Sequence, residues 1–206
     1  MGEGLDVQGL KMSICYEEEY VQELIRLIRS NPSFMHVLET VRYCNPPDWL
    51  VGAGIIRNLV WDHLHEFREP TPIADVDVIF FDASDLRPER DQEVHEQLAA
   101  LLADVPWEAT NQAAVHLWYE DVFGLPVPPF RSSEEAVSTW PETATSVAVR
   151  LLADDELHVV APCGLADLFG MVLRRNPRRV TREMFHQRLQ TKRITEKWPR
   201  VQVIDG

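Results

Sequence analysis

The sequence predicts an α+β fold, a small mixed β-sheet with helices packed on it. Two amphipathic helices precede the first strand, helices and short apolar runs then follow without a strict strand–helix rhythm, and a hairpin pattern lies late in the chain. With 206 residues and 45% hydrophobic content there is enough apolar surface for a core. The expected organisation is one domain over 1–206, with N-terminal helices at 17–43 and a basic helical segment at 174–200.

Tyr20, Leu24, Leu27 and Ile28 recur at helical spacing and predict a helix over 17–29, ended by Asn31-Pro32. Ser33 reads as the N-cap of a second helix carrying Phe34, Val37, Leu38 and Val41, ended by Asn45-Pro46-Pro47. Trp49 to Val51 reads as a buried strand, Gly52-Ala53-Gly54 as a tight turn, and Ile55 to His65 as a helix. Val76 to Phe81 is a second strand and Glu89 to Ala103 a helix. Trp107 to Thr110 and Val115 to Tyr119 are further expected strands. Pro126, Pro128 and Pro129 mark a loop, and Ser133 begins a short helix toward Trp140. Thr145–Leu152 and Leu157–Val160 flank Asp154-Asp155-Glu156 as a β-hairpin, and Leu165–Leu173 with Arg182–Arg193 close the chain as helices. No internal repeat or low-complexity tract is present.

No run approaches the ~18 apolar residues of a membrane span. The start Met1-Gly-Glu-Gly-Leu-Asp6 lacks the basic and apolar regions of a signal peptide, so the expected compartment is the cytoplasm. Cys15, Cys44 and Cys163 are scattered and fit neither a disulfide framework nor a zinc ribbon. The net charge of −13 opposes whole-surface binding to nucleic acid. Residues 174–200 nevertheless hold ten Lys/Arg against two acids, +8 net, which leaves −21 for the remainder. Such asymmetry suits a basic end folded against an acidic body, or a polyanion site for a triphosphate or RNA.

Gly52 and Gly54 allow a strand-to-helix turn whose free N–H groups suit an anion, and Arg57 lies one turn into that helix. The spacing matches neither a dinucleotide fingerprint nor a P-loop. Asp75 and Asp77, two apart on a mostly apolar strand, project to one face. Paired carboxylates of this kind are tolerated where a divalent cation neutralises them, and Mg²⁺ favours a few carboxylates plus phosphate oxygens. Asp82, at the far end, suits a turn. Glu108 on the following strand is the candidate third carboxylate, with Glu120 and Asp121 as alternatives; Asn111 and His116 share that stretch as candidate substrate-positioning groups. His63 and His65 diverge by about 200° on a helix and do not form a zinc site. Nucleophilic triads have no local signature.

Val51 to Asn58 followed by Asp75-Val-Asp77 resembles the head of the nucleotidyltransferase superfamily that includes tRNA nucleotidyltransferases and poly(A) polymerases. In that family a Gly-Gly turn with Arg-Asp leads to an Asp-x-Asp strand. Here Ala53-Gly54 replaces the two glycines and Asn58 the aspartate, while Gly54, Arg57, Asp75 and Asp77 match. Trp49–Asp62, Asp75–Asp82, Trp107–Tyr119, Trp140–Leu151, Ala161–Pro177 and Lys197–Pro199 resemble a largely uncharacterised bacterial nucleotidyltransferase-like family. That resemblance implies a nucleotidyltransferase-type mixed sheet, Mg²⁺ (or Mn²⁺) held by Asp75 and Asp77, and nucleotide phosphates near Gly52 and Gly54. It also brings in Thr143, Thr145 and Arg150 as candidate contacts to base, ribose or phosphate.

The expectation is a Mg²⁺-dependent transfer of a nucleoside monophosphate from a nucleoside triphosphate (NTP) to an acceptor hydroxyl. Asp75 and Asp77 would hold the metal, Gly54 and Arg57 would take phosphate, and Glu108 would act as a further ligand or base. The competing reading is a catalytically inactive nucleotide-binding or partner-binding module of the same fold. A third is RNA modification with 174–200 as the docking surface.

Overall fold

The computed structural model describes residues 7–205, with side chains from Tyr16 onward, so Met1–Asp6 and the side chain of Cys15 lie outside the described residues. Two helices, α1 (Val7–Arg29) and α2 (Pro32–Cys44), come first. Asn31, not Ser33, caps α2: its side-chain oxygen accepts from Phe34 N at 3.0 Å, and Pro32 takes the first helical position, where no N–H is needed. Strand β1 (Leu50–Gly52) runs into α3 (Gly54–Leu64), followed by β2 (Val76–Phe80), α4 (Glu89–Leu101) and β3 (Trp107–Asn111). The α4 crossover lets β2 and β3 pair in parallel.

Val115 to Tyr119 is helical, in α5 (Val115–Phe123), where a strand was expected. The alternation Val-His-Leu-Trp-Tyr imitates a strand because Leu117 and Trp118 stay exposed on this helix, which blurs its amphipathic period. Next come α6 (Ser133–Val137), a 3₁₀ turn at Thr143–Thr145, and the antiparallel hairpin of β4 (Ala148–Leu151) and β5 (Leu157–Val160). The expected helix at Leu165–Leu173 divides into α7 (Ala166–Phe169) and β6 (Val172–Arg174), with Met171 at φ 53° turning the chain between them. Helices α8 (Arg182–Lys192) and α9 (Ile194–Lys197) follow, and β7 (Gln202–Ile204) pairs in parallel with β6.

The main sheet has the order β3-β2-β1-β4-β5. One face carries Val51, Val78, Phe80 and Val149 into a core shared with Leu24 and Ile28 of α1, Leu38 of α2, Ile56 of α3 and Leu98 of α4. Alternation sends Leu50, Ile79, Ala148 and Val160 to the other face, where Val137 and Trp140 cover them. Across that second face the register sets Glu108, Asp77, Gly52 and Ala148 in one row. Among the described residues no helix is long and apolar enough to cross a membrane.

Candidate active site

The row opens into a cavity of about 270 Å³ whose lining includes Gly54, Arg57, Asp75, Asp77 and Glu108. Gly52 shapes it by absence: a Cβ there would meet Val147 O at 2.5 Å and the Ala148 Cβ at 2.7 Å, so the residue permits close approach of β1 and β4. Ala53 carries the turn at φ 57°, ψ −118°, a conformation natural to glycine. Its N–H donates to Val147 O at 3.0 Å, and no side chain caps α3, so the first N–H groups of the helix are available to an external anion. A Cβ on Gly54 would lie 3.6 Å from Nη2 of Arg57 and 3.7 Å from Oδ1 of Asp75, so helix start, guanidinium and carboxylate share one corner.

Strand alternation places Asp75 and Asp77 on the cavity face, and the parallel register places Glu108 beside Asp77. Burial, then the charge of Asp75, then that of Glu108 push the Asp77 carboxyl up to about 7, against the opposing pull of Lys192 and Arg188. The far wall is cationic. Nζ of Lys192 lies 3.5 Å from Oδ2 of Asp75, and Nε of Arg188 donates to Oε1 of Glu142 at 2.8 Å. The other oxygen of Glu142 accepts from Thr145 Oγ1 at 2.8 Å. Arg57 donates to Oδ1 of Asn58 at 2.8 Å and lies 5.2 Å from the ring of Trp198. Burial is the largest influence on its guanidinium and pulls its pKa down, while Glu142, Asp75 and Asp77 act the other way.

Trp198 fixes this wall. Its indole N–H donates to Oδ1 of Asp62 at 2.7 Å, and its ring meets Trp61 edge-on at a centroid distance of 5.4 Å. The segment after α8 is thereby bound to the helix that begins at the phosphate-type turn.

Four of the side-chain candidates, Asn111, Thr143, Arg150 and His116, lie outside the cavity lining. Asn111 is spent on the backbone: its oxygen accepts from Asp82 N and Ala113 N, and its amide donates to Asp82 O and Asp85 O, both at 2.9 Å. Thr143 donates to Asp167 at 2.6 Å. Arg150 pairs with Asp48 at 2.7 Å beside Trp49. His116 sits on α5, also away from the lining. Thr143 and Arg150, and Asn111 for most of its bonds, take partners from distant positions, which no local pattern reveals, and the buried Nδ1 of His116 has no hydrogen-bond partner. Conversely Glu142, Arg188 and Lys192 line the cavity without having been singled out. The signal for the last two was their i, i+4 spacing in a basic helix, which puts both on one face.

The carboxylates of Asp75, Asp77 and Glu108 are hard oxygen donors, as Mg²⁺ or Mn²⁺ requires. Among the described residues no three His, Cys, Asp or Glu converge closely enough to hold a metal by themselves. Two carboxylates completed by triphosphate oxygens fit that arrangement, as does the Asp77 carboxyl, which burial, Asp75 and Glu108 raise despite the pull of Lys192 and Arg188.

A family model described as nucleotidyltransferase matches residues 39–203. No curated protein matches the chain. A solved structure, an NMR structure described as revealing a CCA-adding enzyme head domain, is similar to it at 28% identity with a TM-score of 0.76, over 90% of this chain and 96% of that one. The fold is thus that of a nucleotidyltransferase head domain, and with the family model spanning β1 to the cationic wall, the chain belongs to the nucleotidyltransferase family.

Proposed function

We propose that the protein transfers a nucleoside monophosphate from an NTP to an acceptor hydroxyl with loss of pyrophosphate, in a reaction that depends on a divalent cation. The observation that carries this reading is one cavity with three carboxylates on its sheet wall and Arg57, Arg188 and Lys192 around it. Carboxylates alone would suit a cation, and cations alone a phosphate. Facing each other, they suit a metal–triphosphate complex.

Asp75 and Asp77 would hold Mg²⁺, or Mn²⁺ in its place, which when bound offsets charge on the triphosphate and on the departing pyrophosphate. The open N–H groups at the start of α3, with Arg57, bind and orient the phosphates. Lys192 is the nearest cation to Asp75 and turns to the phosphates when they arrive. Glu108 accepts the acceptor hydroxyl's proton as its oxygen bonds to the α-phosphorus, and the bond to the β-phosphate oxygen breaks with its electrons leaving on pyrophosphate. Docking of RNA by 174–200 is the weaker reading, because Arg174, Arg175, Arg188, Lys192 and Arg193 are each ion-paired within the chain.

Pyrophosphate release is the test, measured with Mg²⁺ and each of the four NTPs over a set of hydroxyl acceptors, in wild type and Asp77→Asn. Turnover lost in the variant supports the proposal. Tight Mg–NTP binding with no turnover in any mixture would instead make this a nucleotide-binding module.

A further inference from the structure

A second cavity, of about 310 Å³, adjoins the first and shares Trp140, Pro141 and Arg188 with it. It begins one strand repeat beyond Glu108: Thr110, on the same face of β3, is part of its lining. Its walls are aromatic, with Trp118 and Tyr119 from α5 and Phe130 from the loop before α6. Its charge is one-sided. Arg179 and Arg188 line it and no Asp or Glu does, in a chain with 33 acidic residues. Among the described residues no carboxylate lies within ion-pair distance of Arg179, and the charge of Glu135 acts on it from farther off. Its Nη2 donates to Pro128 O at 3.4 Å, and its guanidinium lies 4.1 Å from the ring of Phe130 and 5.2 Å from that of Tyr119.

We propose that this cavity is the acceptor subsite and that it takes a small aromatic compound bearing a carboxylate and a hydroxyl. The rings supply a stacking surface, and the half-buried guanidinium of Arg179, in direct contact with no carboxylate, supplies a fork for a planar anion. Cationic acceptors such as amines and aminosugars find no counter-charge in it. The volume, at the small end of ligand pockets, suits a single ring with a short side chain.

Its position gives the role. Displacement at phosphorus is in line, so the attacking oxygen enters opposite the departing pyrophosphate. The phosphates have their donors at Gly54 and Arg57, on the β1 side of Asp77, and Glu108 with the second cavity lies on the β3 side. A hydroxyl held there meets Glu108 first, gives up its proton to it, and bonds to the α-phosphorus as pyrophosphate leaves. The acceptor role rests on the function proposed above, whereas the class of ligand rests on the cavity alone.

The probes are 3-(4-hydroxyphenyl)propionate and tyramine, a carboxylate and an amine on the same phenol. Each is titrated calorimetrically, and by Trp118 and Trp140 fluorescence, into wild type and Asp77→Asn, with and without Mg²⁺ and a non-hydrolysable ATP analogue. The acid is expected to bind at least about tenfold tighter than the amine, equally in both proteins. It should bind undiminished beside the ATP analogue. Arg179→Glu should reverse the preference, with a thermal melt reporting its folding; the wild-type comparison of acid with amine decides the ligand class if that variant does not fold. Amine binding equal to or tighter than acid binding, or no acid binding up to about 10 mM, overturns the proposal. Competition between acid and ATP analogue also overturns it, because the cavity would then hold the nucleobase. Failure of the general function is a separate result: Mg²⁺-dependent pyrophosphate release that is absent throughout while the acid still binds.

Discussion

Asp77 and Glu108 are register partners on adjacent parallel strands, so their side chains leave the same face of the sheet next to each other. They are set apart by environment: burial and its neighbours raise the Asp77 carboxyl, and β3, where Glu108 sits, is the edge strand of the sheet. Divergent surroundings of this kind suit divergent roles, one acid binding a cation and the other exchanging a proton. Asp77→Asn should lower the rate of pyrophosphate release by about 10³-fold or more, as expected when a metal-binding charge is removed. Glu108→Gln should lower kcat by about 10²-fold while leaving the KM for NTP within a few-fold. Steady-state kinetics on both variants checks the pair.

The raised Asp77 carboxyl makes folding depend on pH. The folded state holds this proton up to about pH 7, whereas the unfolded chain releases it near the ordinary value of 3.8. The contribution is therefore fully present below about pH 4 and is lost as pH rises through 7. Asp77→Asn cannot ionise and should be the more stable protein at pH 8, by up to about 4 kcal/mol, with the advantage gone near pH 4. Denaturant melts at the two pH values measure the difference.

Adding Mg²⁺ should oppose that loss. A cation held by Asp75 and Asp77 favours the ionised carboxylate, so binding below pH 7 releases a proton, and the Mg²⁺-induced rise in Tm should be larger at pH 8 than at pH 5.5. Calorimetry in two buffers of different ionisation enthalpy counts the released proton.

Lys192 and a metal compete for Asp75. The ion pair, 3.5 Å long with side chains 41% and 32% exposed, contributes little to stability, and Lys192→Met should change it by less than about 1 kcal/mol. The same variant should bind Mg²⁺ several-fold tighter without nucleotide and show a KM for NTP about tenfold higher. Metal titration and kinetics separate these opposite effects.

Two neighbouring turn residues should respond in opposite directions to substitution. Ala53→Gly relieves the strain of a positive φ and should stabilise by about 0.5–1 kcal/mol after the entropy of glycine is counted. Gly52→Ala drives a methyl to 2.5 Å from Val147 O and should destabilise by about 2–3 kcal/mol. Thermal melts distinguish them.

Where chemistry and chain neighbourhood coincide, the sequence is readable: the β1–turn–α3 unit and Asp75-Val-Asp77 fall where spacing predicts them. Glu108 was also within reach, because one parallel crossover brings it beside Asp77. The opposite wall was not. Glu142, Arg188 and Lys192 reach the cavity through contacts made across the whole fold, and Asn111, Thr143 and Arg150 are taken up by partners that no local pattern names. β6 and β7 escaped for a related reason, since strands of three residues carry almost no periodicity and pair here over about thirty positions.

The Trp198–Asp62 hydrogen bond joins the two walls, and it sets an order in time. Synthesis proceeds from the N-terminus, so the acidic wall is complete 80 residues before Arg188 is added, and Trp198 comes ten later still. A nascent chain therefore carries the sheet carboxylates before Arg188 and Lys192 exist to face them, and the opposite wall is fixed only after the indole has left the ribosome and found Asp62. Activity would then wait for Arg188, Lys192 and Trp198, so that it reports the making and docking of the second wall.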